Sequence, residues 1–574
     1  MRFLPVNLDA LLVELDDLPQ TLALLASLRA EPIDGVEEIV PAARTLLVRF
    51  RPSRVSPAEL VARIGGRRVD ALVERDATLI EIPVDYDGED LDDVARMLGI
   101  AREEVVRRHT GSEYTVAFTG FAPGFAYLTG GDAILNVPRR TTPRTRIPAG
   151  AVGLAGAFSG VYPQASPGGW QIIGITAVPM WDLGRAVPAL LQPGFRVRFV
   201  DRAAAGAGAA HGATASSAAS APATPSTSPA APATGESATA TAPAEAAGAD
   251  APAAPSDAVS GRPALEVLAT GVQALFQDAG RHGQAGQGVS ASGAMDRASL
   301  RAANRLVGNP GDAAGVEIAA GGFELRCRGD AVVAFAGADV PVRLTAADGR
   351  ASDVPGWTAI ALSDGDRLRL GEPRAGLRSY LAVRGGFDIP AVLGSRSTDT
   401  LARVGPPAIA TGDVLRIGAV ERGAIVGAPE EPPADLPSTA EVVVLDVVMG
   451  PRTDWFTPEA VALLANQVWR VSPQSNRVGL RLAGEASLAR AVTGELPSEG
   501  TALGALQVPP SGQPVLFLAD HPLTGGYPVI ACVATHHLDR AGQIPIGAGV
   551  RFNPVRPFAE SFSDASLDPS PDSP

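Results

Sequence analysis

Between Arg202 and Ala258 the chain carries no Val, Ile, Leu, Met or aromatic residue. The stretch is Ala, Pro, Ser, Thr and Gly with scattered acids. A chain folds by burying apolar surface, and this composition offers none, so disorder is predicted here. A flexible tether of this length spans on the order of 40 Å root-mean-square. It separates residues 1–202 from residues 263–574, the layout of two proteins joined by a linker.

On either side of the linker the apolar content is sufficient for several cores. Gly (63) and Pro (50) are abundant, which favours many short strands and tight turns over a helical bundle. The formal charge of −14 argues against binding the phosphate backbone of nucleic acid. No apolar run reaches the ~18–20 residues of a membrane span. Met1-Arg2-Phe3-Leu4-Pro5 is followed by Asp9, Glu14, Asp16 and Asp17, which is no signal-peptide pattern. Two cysteines, Cys327 and Cys532, make no disulfide framework and sit in strand-like runs as core residues. A soluble cytoplasmic protein is expected.

Every basic residue is Arg; the chain has no Lys. That excludes a phosphate loop of the G-x-x-x-x-G-K-[ST] type, Schiff-base chemistry, a Lys-containing amidase triad and biotin attached to this chain. A nucleotide would have to be held by backbone N–H groups, Arg and metal.

Residues 1–80 read as a small α+β domain. Residues 3–15 are strand-like, 19–29 are helical, and 36–50 form a hairpin around Pro41-Ala42-Ala43-Arg44. Ser56 caps a second helix with Pro57 at its first position. Residues 81–202 add two short helices, 91–98 and 102–109, then short strands with Gly/Pro turns, which suggests a barrel or sandwich. Residues 203–262 are the linker. The part beyond it is again mostly strand, divided at 263–425 and 426–560, with helices at 297–307, capped by Asp296, and at 458–467. Residues 561–574 form a polar tail with predicted disorder. The fold class is mainly β with α+β.

The motifs are dense in glycine-rich loops, where functional residues concentrate. In the first part GFAPGFAYL (120–128) precedes Arg139, Arg140 and Arg144, and then comes YPQASPGGW (162–170). A backbone nest at Gly168-Gly169 beside those arginines would suit a phosphate or carboxylate. His109 and Tyr114 stand just before the first loop, as site residues or as structural ones. In the second part Asp278 and Arg281 lie in QDAGRHG, and Asp296 closes SASGAMD. Asp278 with Arg281 also fits a turn-fixing ion pair, and Asp296 a helix cap. Gln474, Asn476, Arg477, Glu499 and Gln507 supply donors and one carboxylate, a set suited to a small amide, acid or urea-like molecule. No nucleophile elbow and no His/Cys metal spacing appears.

These motifs carry a resemblance. GFAPGFAYL, VPRRTTPRTRIPAGAVGLAG and YPQASPGGWQIIG make the first part similar to the B component of 5-oxoprolinase, also known as allophanate hydrolase subunit 1 or KipI. QDAGRHGQAGQGVSASGAMDRASLRAANRLVGN, LAVRGGFDIPAVLGSRST, GPRTDWFT, VSPQSNRVGLRL and ELPSEGTALGALQVPPSGQPVLFLADHPLTGGYPVIACV make the second part resemble the C component of 5-oxoprolinase, also called allophanate hydrolase subunit 2, KipA or biotin-dependent carboxyltransferase. The resemblance implies a cyclophilin-like β-barrel over 81–202 and two more over 263–425 and 426–560.

It also implies an enzyme that opens 5-oxoproline to glutamate with ATP, and with Mg²⁺, beside a separate 5-oxoprolinase A component of the LamB/YcsF type. Catalytic candidates are then Asp278, Arg281, Asp296 and Glu499, and substrate-binding candidates are Gln474, Asn476, Arg477 and Gln507. ATP falls to Arg139, Arg140, Arg144, Gly168 and Gly169. Contact between the two parts is expected, with a shared site. Two other readings attach to the same family: the carboxyltransferase component of a biotin-dependent urea carboxylase, or a KipI/KipA-type regulator of a sensor kinase.

Overall fold

The computed structural model describes residues 1–69, 76–142, 144–204 and 262–559. Apart from its ends, the expected linker lies outside the described residues, as does the tail 561–574.

The N-terminal sheet explains why residues 3–15 are apolar almost without a break. They form two strands rather than one, β1 (Arg2–Asn7) and β2 (Ala10–Glu14). The Asn7 side chain, accepting from Leu8 N–H at 2.8 Å, helps close the turn, which only Asn7 and Asp9 mark in a mostly apolar run. With β3 (Val36–Pro41) and β4 (Thr45–Phe50) they make an antiparallel sheet ordered β1-β2-β4-β3. Side chains alternate between faces. Leu11, Val13, Leu46 and Val48 meet the helices Leu18–Ala30 and Pro57–Gly65. Leu4, Val6, Leu12 and Leu47 meet Phe517, Leu523, Val529 and Cys532 of the far C-terminal part. A strand buried on both faces has no polar side to show.

Helix boundaries follow local chemistry. Asp17 accepts from Gln20 N–H at 2.9 Å and Ser56 from Glu59 N–H at 3.2 Å. The helix Arg297–Val307 begins where Asp296 accepts from Ser299 N–H at 2.9 Å and stops at Gly308, whose φ of 78° favours glycine.

Residues Leu79–Asp201 build a seven-stranded sheet around a core of Val84, Val116, Leu128, Val152 and Phe199. From Ala264 to Arg416, sheets of six and five strands enclose one core of Leu265, Phe323, Phe335 and Leu381. The strands of Val442–Arg556 close into a seven-stranded barrel, with Val442–Met449 parallel to Gly549–Arg556. The architecture is mainly β, with barrel-like sheets and few helices. Cys327 and Cys532 are free and buried. No helix among the described residues is long and apolar enough to cross a membrane.

The parts flanking the linker pack as one unit. Motif glycines lie on that boundary. A Cβ on Gly288 would stand 2.6 Å from Ala122 O, and one on Gly500 2.6 Å from Leu47 Cβ. Thr119 Oγ1 donates to Ala285 O at 3.0 Å, and Gly124 N–H to Gln287 O at 2.9 Å.

Candidate functional site

A cleft opens where three domains meet. The N-terminal sheet gives it Glu38 and Arg49, the loop before helix Arg297–Val307 gives Ser292 and Arg297, and the barrel gives Thr501 and His521. Its outer chamber holds about 540 Å³ and its inner one about 100 Å³; both are lined by Glu38, Arg49 and Arg297.

The outer chamber is rich in charge, most of it paired. Arg51 Nε lies 2.7 Å from Glu37, Arg49 is 3.4 Å from Glu37 and 3.6 Å from Glu38, and Arg54 is 3.6 Å from Asp34. Arg297 differs. Its guanidinium makes no hydrogen bond and no ion pair among the described residues. Burial first, and then the neighbouring Arg49, press its pKa below the usual arginine range. His282 also lines this chamber. Its Nε2 lies 3.2 Å from Ala279 O, which assigns the proton there and leaves Nδ1 as the basic nitrogen. Desolvation, then Arg297 and Arg49, lower the His282 pKa, which favours the neutral ring. His521 is buried and likewise lowered by its burial. An imidazole in one chamber with a guanidinium that has no ion pair of its own can accept a proton while an anion is held there.

A buried polar network fixes the loop that carries these groups. Ser292 donates to Asp520 at 2.6 Å. Asp520 pairs with Arg477, which also donates to Gly293 O at 2.7 Å and contacts Glu317. Glu317 accepts from Met295 N–H at 3.0 Å and from Tyr380 OH at 2.8 Å, and Tyr380 OH accepts from Asp296 N–H at 2.7 Å. The backbone from Ser292 to Asp296 is thus tied down along its length.

Of the sequence-derived site residues, Arg477 and Asp296 belong to this network, and none of them lines the cleft. Asp278 accepts from Ser395 and Ser397 hydroxyls and from Arg396 and Gly280 N–H, so its carboxylate shapes a loop. Arg281 donates to Ser397 O rather than to Asp278. Asp296 caps its helix and accepts from Gln543 at 2.7 Å. Arg477 points inward while Gln474 and Asn476 lie nearer the surface, with Asn476 Oδ1 accepting from Val478 N–H at 2.9 Å, so the three do not converge. Glu499 is held by Arg452, which also reaches Glu14 at 2.8 Å. Gln507 donates to Tyr527 O at 3.3 Å.

The expected phosphate cradle already holds an anion, the protein's own Asp90. Arg144 grips it with two nitrogens at 2.7 Å, Arg140 donates at 2.5 Å and Ile172 N–H at 2.7 Å. Arg139 instead pairs with Glu495 at 2.9 Å. Gly169 O accepts Arg140 N–H at 2.8 Å, and a Cβ on Gly168 would meet Tyr162 Oη at 2.5 Å. Gly168 thus serves close packing, and Gly169 offers its carbonyl to the arginine loop. His109 is structural too: Tyr86 OH and Ser159 Oγ occupy its ring nitrogens at 2.7 and 2.9 Å, and burial lowers its pKa to about 3.

One group, Asp446 with His536 and His537, brings potential metal ligands within 4.8 Å. Its hydrogen bonds already engage it. His537 Nδ1 accepts Asp446 N–H at 2.8 Å, and His536 Nε2 lies 3.0 Å from the carboxylate.

Sequence reasoning passed over Arg49, His282, Arg297 and His521. The last three sit inside the quoted motifs, next to residues that drew attention as caps and turns.

Residues 1–191 match the carboxyltransferase domain, subdomains C and D, and residues 287–554 match the carboxyltransferase domain, subdomains A and B. The chain is 35% identical to the C component of 5-oxoprolinase from Escherichia coli (strain K12) over 296 residues, 50% of this chain and 90% of that protein. It is 39% identical to the B component of 5-oxoprolinase from Bacillus subtilis (strain 168) over 193 residues, 31% of this chain and 80% of that protein. Urea amidolyase of Lachancea kluyveri is 33% identical over 314 residues, 51% of this chain but 17% of that protein. The crystal structure of TTHA0988 superposes with a TM-score of 0.74 at 32% identity, covering 95% of this chain and 99% of that one.

Proposed function

The chain belongs to the carboxyltransferase-domain family that includes the B and C components of 5-oxoprolinase, and we propose that it is the fused B and C portion of an ATP-dependent 5-oxoprolinase. The observation that supports this most is the cleft itself, whose walls come from both sides of the linker. Joining two such partners covalently raises their effective concentration for each other.

The chemistry explains the requirement for ATP. A five-membered lactam is a stable amide and a poor electrophile; phosphorylating its carbonyl oxygen supplies a leaving group and an electrophilic carbon. An anionic substrate suits Arg297, a cation that makes no ion pair among the described residues, with Asp539 and Asp9 acting on it only at longer range. Asp34, Glu37 and Glu38 in the same chamber face arginines and do not converge as a ligand set, so the residues present do not fit Mg²⁺ there. In this reading Arg297 and Arg49 stabilise anionic oxygens, and His282 Nδ1 takes a proton from the attacking water. A separate 5-oxoprolinase A component completes the reaction.

The test is glutamate and phosphate release from 5-oxoproline by the purified full chain with the A component, ATP and Mg²⁺, with urea as a second substrate. His282→Ala should lower turnover by at least tenfold with the melting temperature unchanged. Phosphate release driven by urea and not by 5-oxoproline would overturn the reading.

A further inference from the structure

We infer that Arg297 is the anchor for an anionic oxygen pair, a carboxylate or a phosphate, on the small molecule that occupies the cleft. The inference rests on the reading of this cleft as the substrate site.

Three observations carry it. The first is the missing partner. Arg49, Arg51 and Arg54 each have a carboxylate within 4 Å, whereas Arg297 has none among the described residues. The acids around it, Asp539 and Asp9 among them, act on the guanidinium without reaching ion-pair distance. Asp296 faces inward to Ser299 and Gln543. Asp539 accepts the backbone N–H groups of Arg297 and Ala298 at 2.9 and 3.2 Å. A partly buried guanidinium with only distant acids to offset its desolvation gains when a ligand supplies the charge.

The second is preorganisation. Arg297 opens its helix, and the residues just before it are pinned through Glu317 and Tyr380. On the other flank a Cβ on Gly542 would collide with Met295 O. The side chain therefore starts from a fixed backbone, and binding need not order that backbone.

The third is the shape of the remainder. Beyond Arg297 the inner chamber combines apolar walls such as Leu503, Leu523 and Leu538 with polar ones, Asn7, Thr501 and Thr535. An anionic end against a planar two-nitrogen donor, with a small uncharged ring whose amide meets polar groups and whose methylenes meet the leucines, matches a cyclic amide bearing a carboxylate. A phosphate would use the same fork.

The experiment is calorimetric titration of the full chain with 5-oxoproline, with 2-pyrrolidinone (the same lactam lacking the carboxylate) and with inorganic phosphate. Wild type, Arg297→Gln and Arg297→Lys are compared. Because the guanidinium has no ion pair to lose and a desolvation cost to shed, the melting temperature of Arg297→Gln should equal or exceed that of wild type. Weakening of 5-oxoproline binding by at least tenfold in Arg297→Gln, with 2-pyrrolidinone unaffected and partial recovery in Arg297→Lys, places a carboxylate on Arg297. The same loss for phosphate alone places a phosphate there. Unchanged affinity for both in Arg297→Gln, or no binding of either to wild type, overturns the inference. Turnover with the A component is scored separately. Lost anion binding in the variant, together with no glutamate from the wild-type chain, would keep the anion site and reject the 5-oxoprolinase reading.

Discussion

Arg477 and Asp520 lock together through two parallel hydrogen bonds, Nε to Oδ2 and Nη2 to Oδ1, each 3.0 Å long and both buried. The pair lies beneath the cleft floor, since Asp520 also takes the Ser292 hydroxyl. Removing the arginine leaves Asp520 and Glu317 without the cation that both contact. Breaking a buried pair from one side typically costs ~3–5 kcal/mol. Arg477→Ala should therefore unfold at a clearly lower temperature than wild type, with Arg477→Lys intermediate because ammonium cannot reproduce the fork. Wild-type thermal stability with lost ligand binding would return Arg477 to the role of a substrate residue.

Arg452 bridges the two sides of the linker by gripping Glu499 of the barrel and Glu14 of β2. Its removal leaves two carboxylates at the boundary. The double variant Arg452→Met with Glu499→Gln should be less destabilised than Arg452→Met alone, because the second change removes one of the stranded charges. Denaturant unfolding of the two single variants and the double measures this coupling. Strict additivity would mean that the pair is not energetically linked.

The fold was legible because its signals are local. Asp17, Ser56 and Asp296 announce helix starts, and Gly308 announces a stop. Residues 3–15 misled because both faces of the sheet are covered, so the strands lack alternation and only Asn7 and Asp9 mark the turn between β1 and β2. The site was far less legible. Asp278, Arg477 and Arg144 look like functional residues in sequence since charge in a glycine-rich loop marks sites and scaffolds alike. Which of the two applies depends on partners distant in the chain, such as Glu317 for Arg477 or Asp90 for Arg144. Arg297 stands out only once the other arginines around the cleft have been matched with their acids.

His282 reports directly on Arg297. Desolvation and the two arginines Arg297 and Arg49 lower its pKa. Deleting one positive charge must stabilise the imidazolium, so Arg297→Gln should shift the His282 titration to higher pH. Following the His282 ring proton by NMR, in a chain with 6 histidines, gives the direction. A midpoint that stays put or falls would mean that Arg297 does not act on the cleft histidine.

Asp399 should make stability depend on pH in the sense opposite to an ordinary ion-paired carboxylate. Burial first, then the charge of Asp520, push its pKa up to about 6. In the unfolded chain an Asp titrates near ~3.9. Between those values the folded state binds more protons than the unfolded one, so the Asp399 contribution falls as pH rises from about 4 to about 6, and is flat above. Asp90, Asp278 and Asp520, whose pKa values are lowered, act the other way, their stabilisation being lost as pH falls. The comparison must therefore be a difference. Asp399→Asn keeps an oxygen for the Leu401 and Ala402 N–H groups and stays neutral at every pH. Relative to wild type it should gain stability across that window, by on the order of 1–3 kcal/mol at full extent. Denaturant unfolding at half-unit pH steps measures the gain. Parallel profiles for the two proteins between pH 4 and 6 would show that Asp399 is ionised throughout, with Arg281 compensating its charge completely.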